Sequence, residues 1–274
     1  MVVNNVPSFS VVPDAAGDTV FDILYRDDHL IAIDKPPGWL VHRTPLAKGE
    51  TRFVLQRLRD QIGQHLWPVH RLDRGTSGVL VFALTPEVAR RVAAQFEADV
   101  GLRKTYRAMV RGWPPEQVFI DHALKRMPDD MRSERIEMQA AQSQLRTLRC
   151  GAWPIPYGDF PSLRWAEVEL QPLTGRRHQL RRHCKHIAHP ILGDGTHGKG
   201  PLNRAVAAHL GLHRLWLHAL HLAMPHPITG QALSLSAPLG EDWSRWGETL
   251  TPLAAASADA AAQAGDGVHP IRES

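Results

Sequence analysis

The sequence is short of cysteine: its 274 residues hold two, Cys150 and Cys184. Two thiols cannot build the bridged framework of a small secreted scaffold, and reduced thiols in a cytosol are the plain reading. Long apolar runs are missing as well. No stretch approaches the roughly 20 residues a membrane-spanning helix needs. The opening MVVNNVPSFSVV has neither the basic start nor the apolar centre of a secretory signal. An excess of one charge is also lacking, with 32 Lys and Arg against 28 Asp and Glu. The resulting +4 gives only a weak hint of an acidic partner. What remains is ordinary globular composition, 43% hydrophobic and 22% charged, which excludes a disordered or collagen-like chain.

Residues 1–20 and 251–274 are small, polar or Ala-rich. Neither segment can bury enough surface to offset the cost of ordering it, so both are expected to be disordered tails around one domain over 21–250. Within that domain LIAID (30–34) reads as a buried strand, ended by Lys35-Pro36-Pro37-Gly38, after which WLVH resumes an extended run. Phe53, Leu55, Leu58 and Ile62 fall at helical spacing. SGVLVFALT (77–85) is a continuous apolar strand, and Thr85-Pro86 then offers an N-cap and a first-turn proline for a helix lined by Val88, Val92 and Phe96. Residues 103–112 and 164–171 alternate as strands, and a basic helix is expected over 176–187. The apolar run 214–224 fits a helix or a strand. Residues 125–160 are polar and Pro-rich, which predicts a hairpin or a long surface excursion.

The positive charge is concentrated. Arg176, Arg177, Arg181, Arg182 and Lys185 lie in 171–186, and Arg103, Lys104, Arg107 and Arg111 in 103–111, with no acid in either run. Such runs suggest a face for a polyanion; the bland reading is a solvated face paired with acids elsewhere. The sharpest local feature is His70-Arg71-Leu72-Asp73-Arg74-Gly75-Thr76-Ser77-Gly78. Small and glycine residues make a tight polar turn there, and a core strand follows at once. Asp73 is thereby held at the mouth of a rigid element, where flanking arginines keep a carboxylate ionised for nucleophile or base work. A purely structural Asp–Arg turn is the alternative. His183, Cys184, His186 and His189 crowd together, but no second ligand pair at a zinc spacing accompanies them, and no metal is expected. Trp153, Trp165, Trp243 and Trp246 read as core or rim residues.

The His70–Asp73 block with Thr76-Ser77-Gly78 resembles the signature of the RluA-type pseudouridine synthase family. Further blocks agree in order: Lys35-Pro36-Pro37-Gly38, Lys104-Thr105-Tyr106, Thr174 to Arg181, His189 to Asp194, Leu217-His218-Ala219 and His226 to Gly230. The resemblance runs from about Ile23 to Pro238. Gly38 to Arg43, Arg59 to His65, Val110 to Trp113 and the run from Arg181 to Gly198 are similar to the tRNA-acting branch. Residues 125–160 match poorly.

The resemblance implies an α+β catalytic domain with a central mixed, mostly antiparallel sheet, flanking helices and an RNA cleft, and no separate S4-type domain. It implies a cytoplasmic, cofactor-free and metal-free isomerase that converts a uridine of RNA to pseudouridine, on the tRNA branch uridine 65 of the T-stem. A ribosomal RNA or multi-site enzyme, an RNA chaperone without catalysis and a His/Cys metallohydrolase are the alternatives. Asp73 is implied as the essential carboxylate, Tyr106 as the residue stacked on uracil, and Arg181 as the ion partner of Asp73. Leu180 would wall the base pocket, and Arg71 would enter the RNA where the uridine leaves its stack. Thr76, Ser77, Arg176, Arg177 and Arg182 complete the expected substrate contacts, the arginines on phosphates. No membrane partner is expected, and a monomer is.

Overall fold

The computed structural model describes residues 19–43, 50–98, 101–127, 137–156 and 160–246. The two expected tails lie outside the described residues, apart from residues 19 and 20. The chain divides into two compact units, residues up to 104 with 219–238, and residues 105–218 with those from 239.

Strands β1 (Ile23–Arg26) and β2 (Leu30–Lys35) open the first unit, followed by α1 (Val54–Ile62), β3 (Trp67–Pro68), β4 (Ser77–Ala83) and α2 (Pro86–Ala98). All seven residues of β4 are buried, as a continuous apolar run requires when both faces of a strand are covered. Helix α2 starts as its sequence says. Thr85 Oγ1 accepts from the Val88 N–H at 3.3 Å, Pro86 takes the first turn, and Val88 and Val92 are buried. Helix α1 ends at Gly63, whose φ of 66° lets its N–H return to the Arg59 carbonyl. The extended run expected at 39–42 is a correction. Only Leu40 forms a bridge, to Phe53, and the segment's other backbone bonds go to the start of α1, where the Leu40 and Val41 carbonyls accept from the Val54 and Leu55 N–H groups.

The second unit contains most of β5 (Arg103–Arg111), then β6 (Gln117–Asp121), β7 (Leu124–Lys125), β8 (Met138–Gln139), β9 (Gln142–Trp153) and β10 (Leu163–Pro172). Helices α3 (Gln179–His186) and α4 (Gly200–Leu210) follow. Its strands are hydrogen-bonded in the order β5-β10-β9-β6, with β7 and β8 forming a separate ribbon. The excursion expected over 125–160 is the main correction. Of the two alternatives offered there, antiparallel pairing agrees with the hairpin and not with the excursion: β7 pairs with β8, and β9, twelve residues long, pairs antiparallel along β10 from Ser143 to Trp153. Inward positions of β9 include Ser143 and Thr147, 0% and 3% exposed, which hide the apolar alternation in the sequence.

The chain then returns to the first unit through β11 (Leu217–Pro225) and β12 (Ala232–Ser236). The ambiguous run 214–224 is thus strand at its C-terminal part. In the first unit the order is β1-β2-β4-β11, with β12 on β11 and β3 on β4. The pairs β1–β2, β2–β4, β3–β4, β11–β12, β5–β10, β9–β10, β6–β9 and β7–β8 are antiparallel, and the class is α+β with a large mixed sheet. Apolar side chains of β2, β4, α2, β11 and β12 form the first unit's core. The second unit has two clusters. One joins β5, β9 and β10 to α3; the other gathers Trp153, Trp165, Trp216, Trp243 and Trp246. The four tryptophans singled out in the sequence are all core.

Candidate active site

The candidate residues fall in both units. In the first unit Asp73 sits, half-buried, in the turn that feeds β4. The Thr76 N–H donates to the Asp73 carbonyl at 3.1 Å. Leu72 anchors the approach at 7% exposed, and Thr76 and Ser77 are buried at 2% and 4%. Arg71 and Arg74 are exposed. Gly78 has a φ of 108°, and a side chain there would collide with the Ala219 backbone. Only glycine lets β4 begin at this point.

Beneath the turn lies a lysine whose sequence block announces no role for it. Lys35 is the last residue of β2, opposite Gly78 in the β2–β4 ladder, and it is fully buried. Its ammonium donates to the carbonyls of Pro36 at 2.9 Å, Trp39 at 3.0 Å and Arg74 at 3.3 Å. The Gly38 N–H also donates to the Arg74 carbonyl, at 2.8 Å. Arg74 returns a bond from Nε to the Gly38 carbonyl and pairs with Glu50. The Lys-Pro-Pro-Gly turn and the Asp73 turn are therefore stitched into one support. His70 adds a second brace. Its Nε2 accepts from the Val81 N–H at 2.9 Å, and its ring stacks on Phe96. Burial, and after it the charge of Lys104, pushes the imidazole down to about 4, so the ring is the neutral acceptor this bond needs.

In the second unit Tyr106, half-buried on β5, packs against the cluster that contains Leu170, Leu180 and Leu217. Tyr106 is opposite Leu170 in the β5–β10 ladder, and Leu180 is 6% exposed on α3. The expected aromatic and its apolar neighbour are thus brought together. Arg181 follows at 7% exposed and forms a two-pronged pair with Asp194, Nε to Oδ2 and Nη2 to Oδ1, both at 2.8 Å. Burial alone would raise the Asp194 carboxyl. The Arg181 hydrogen bonds and charge, with the N–H groups of His197 and Thr196, outweigh that and hold it below the usual carboxylate range.

The loop before α3 is set by Gln179. Its Oε1 accepts from Thr174 Oγ1 and from the Arg176 N–H, and its Nε2 donates to the Gln142 carbonyl and Ser143 Oγ. Arg176 stands exposed on that loop, while Arg177 and Arg182 are half-buried. The two basic runs are not uniform charge. Arg107 pairs with Glu167 at 2.9 Å, and Arg111 Nη2 donates to the Ala188 carbonyl. The histidine and cysteine crowded on α3 are engaged in the packing of the second unit. His183 has one ring nitrogen on Ser143 Oγ and the other on the His122 carbonyl. Cys184 is buried, and burial followed by the Asp194 charge pushes its thiol up to about 12. Among the described residues no three His, Cys, Asp or Glu side chains are grouped to hold a metal ion.

Lys35, Gln179 and Asp194 are the participants to which the sequence alone assigns no role. A lysine at the end of an apolar strand and an aspartate between two glycines were the available signals.

Residues 29–186 match the family described as RNA pseudouridylate synthase. The chain is 47% identical over 228 residues to the tRNA pseudouridine synthase C of Yersinia pestis, covering 82% of this chain and 88% of that one. To the protein of the same name from Vibrio cholerae it is 48% identical over 228 residues, covering 82% and 93%. The solved structure of human RNA pseudouridylate synthase domain containing 1 is similar with a TM-score of 0.67 at 26% identity, covering 95% of this chain and 100% of that one. Human RNA pseudouridylate synthase domain containing 4 gives 0.61 at 28% identity, covering 82% and 90%.

Proposed function

The chain belongs to the RNA pseudouridylate synthase family, and from that membership we propose that it isomerises uridine 65 in the T-stem of tRNA, with Asp73 as the essential carboxylate. As a pseudouridine synthase it is an isomerase. The N1–C1′ bond breaks, the uracil turns while bound, and a C5–C1′ bond forms. No atom enters or leaves, so the stoichiometry asks for neither cofactor nor metal. The chemistry is that of glycoside cleavage without the second carboxyl that a hydrolase uses to activate water. One privileged Asp suits it.

The tRNA substrate is supported by relatives of that name with nearly half their residues in common with this chain. Such a substrate puts the work in the cytoplasm; no described helix is long and apolar enough to cross a membrane. Tyr106 stacks on the uracil, with Leu180 as the apolar wall behind it. Arg181 is the ion partner of Asp73. Arg71 takes the place of the extracted uridine in the RNA stack. Thr76 and Ser77 shape the Asp73 turn at its substrate side, and Arg176, Arg177 and Arg182 contact phosphates and set register without reading sequence.

The observation that carries the reading is the support of Asp73: a half-buried carboxylate on a turn clamped from below by the buried Lys35 ammonium. The test is Asp73→Asn. Tritium release from tRNA labelled at uridine C5 is expected to be lost, with tRNA binding retained. Normal turnover by this variant would sink the assignment. Mapping pseudouridine in total tRNA and ribosomal RNA from cells with and without the protein checks the site, and a missing modification in ribosomal RNA alone would overturn the tRNA reading.

A further inference from the structure

Arg181 holds its position through a partner the reaction scheme does not use. Of the five N–H bonds of a guanidinium, the Nε–Nη2 edge offers two in parallel, and both go to Asp194. Asp194 is itself immobilised. Its side chain is fully buried, and its Oδ1 also accepts the N–H groups of Thr196 and His197 at 2.9 Å each. Its own carbonyl accepts from Asn203 Nδ2 at 2.8 Å. The residue before it, Gly193, has a φ of 76°, and a side chain there would collide with the Arg214 carbonyl. The turn is tied to the head of α3 as well. The His197 ring meets His178 at 3.0 Å, and His178 is the residue, at a φ of 54°, from which α3 begins.

We propose that Asp194 is a positioning residue for the isomerisation. It occupies the side-on edge of Arg181 and so fixes the plane of the guanidinium and the direction of its end-on edge, formed by Nη1 and Nη2. A pair with this geometry does two things that a lone arginine cannot. It removes the torsional freedom of a long side chain before substrate arrives, and it shares the guanidinium charge with a second carboxylate, which turns a bulk cation into a directed donor. Tethering through His197 and His178 sets the same donor relative to Leu180, one residue earlier on the helix.

The inference rests on the reading that Arg181 takes part in the reaction, and a double-mutant cycle separates the two. Steady-state kinetics on a tRNA transcript would be measured for Asp194→Asn, Arg181→Met and the double variant, each checked for folding by thermal melting. Asp194→Asn is expected to lower kcat about 10²-fold while KM for tRNA stays within about two-fold. In the Arg181→Met background the same change is expected to cost nothing further, because the group that Asp194 positions is gone. Losses that multiply, or a folded Asp194→Asn with wild-type kcat, overturn the proposal. Full activity of Arg181→Met alone overturns the role of Arg181, a failure distinct from that of the coupling. If Asp194→Asn does not fold, Arg181→Lys asks the same question from the other side. An ammonium keeps the charge but has no side-on edge, so kcat is expected to fall as far, and wild-type kcat overturns the proposal.

Discussion

Lys35 is a buried cation whose hydrogen-bonding partners include three backbone carbonyls, two from its own turn and one from Arg74. An ammonium has three donors and no acceptor, so this arrangement satisfies it and adds a second donor to the Arg74 carbonyl, which also accepts the Gly38 N–H. Lys35→Met keeps the bulk and removes the donors. It is expected to cost about 1–3 kcal/mol of stability, read from urea unfolding. Because Arg74 is next to Asp73, it is also expected to lower kcat at temperatures where the variant is fully folded. A folded Lys35→Met with wild-type kcat would show that the lysine serves only stability. His70 makes a different demand on the same turn, since its Nε2 must stay unprotonated to accept from Val81. The folded protein resists protonating it down to about 4, whereas the unfolded chain takes the proton near 6.5. A depressed value of this kind means that stability is intact above 6.5 and falls as the pH drops through the window toward 4, with a slope of up to about 1.4 kcal/mol per pH unit. His70→Phe retains an aromatic for Phe96 and abolishes that titration. Melting temperatures of the two proteins across pH 4–7 are expected to differ in slope. Parallel curves would refute the assignment.

At the scale of elements, what could be read from sequence was whatever carried its own reason locally. Strands β2 and β4 are unbroken apolar runs, and α2 has its cap, its proline and its buried stripe within one turn of each other. Strand β9 could not be read this way. Its inward Ser143 and Thr147 are tolerable only because distant groups satisfy them: Gln179 and His183 on Ser143, and the Pro114 and Pro115 carbonyls on Thr147. Those bonds span 32 to 40 residues of sequence, so no window over 125–160 contains the reason for the strand. Helix α3 is shorter than its basic run for a related cause. His178 takes a left-handed conformation and starts the helix at Gln179, and the αL state of a non-glycine residue leaves little trace in composition. The same division runs through the site. Asp73, Tyr106 and Arg181 stood out from the blocks they belong to. Lys35 and Asp194 act through contacts made 39 and 13 residues away, and their burial is what gives those contacts weight.

For the whole molecule, the +4 net charge understates some parts of the surface and overstates others. Several cations, Arg107 and Arg181 of the two basic runs among them, are held in ion pairs within the protein. Arg107 and Arg149 share Glu167, Arg146 pairs with Glu169, Arg214 with Asp242 and Arg181 with Asp194. Others are exposed, among them Arg103, Arg176 and Lys185. Only the second kind can displace counterions from a polyanion, and each phosphate neutralised adds about 0.7–0.9 to the dependence of log affinity on log salt. Affinity for tRNA is therefore expected to fall steeply with salt. Arg176→Ala should weaken binding and reduce the slope by about 1. Arg107→Ala removes the same formal charge but takes it from a pair with Glu167, whose side chain is 8% exposed. It should leave the slope nearly unchanged and lower the melting temperature instead, since a buried carboxylate loses part of its compensation. Filter binding of the three proteins over a range of about 50–200 mM salt, alongside melting curves, separates the two kinds of arginine. Equal slope changes for both variants would mean that Arg107 meets RNA despite its pair, and an affinity indifferent to salt would remove phosphate contact from the mechanism altogether.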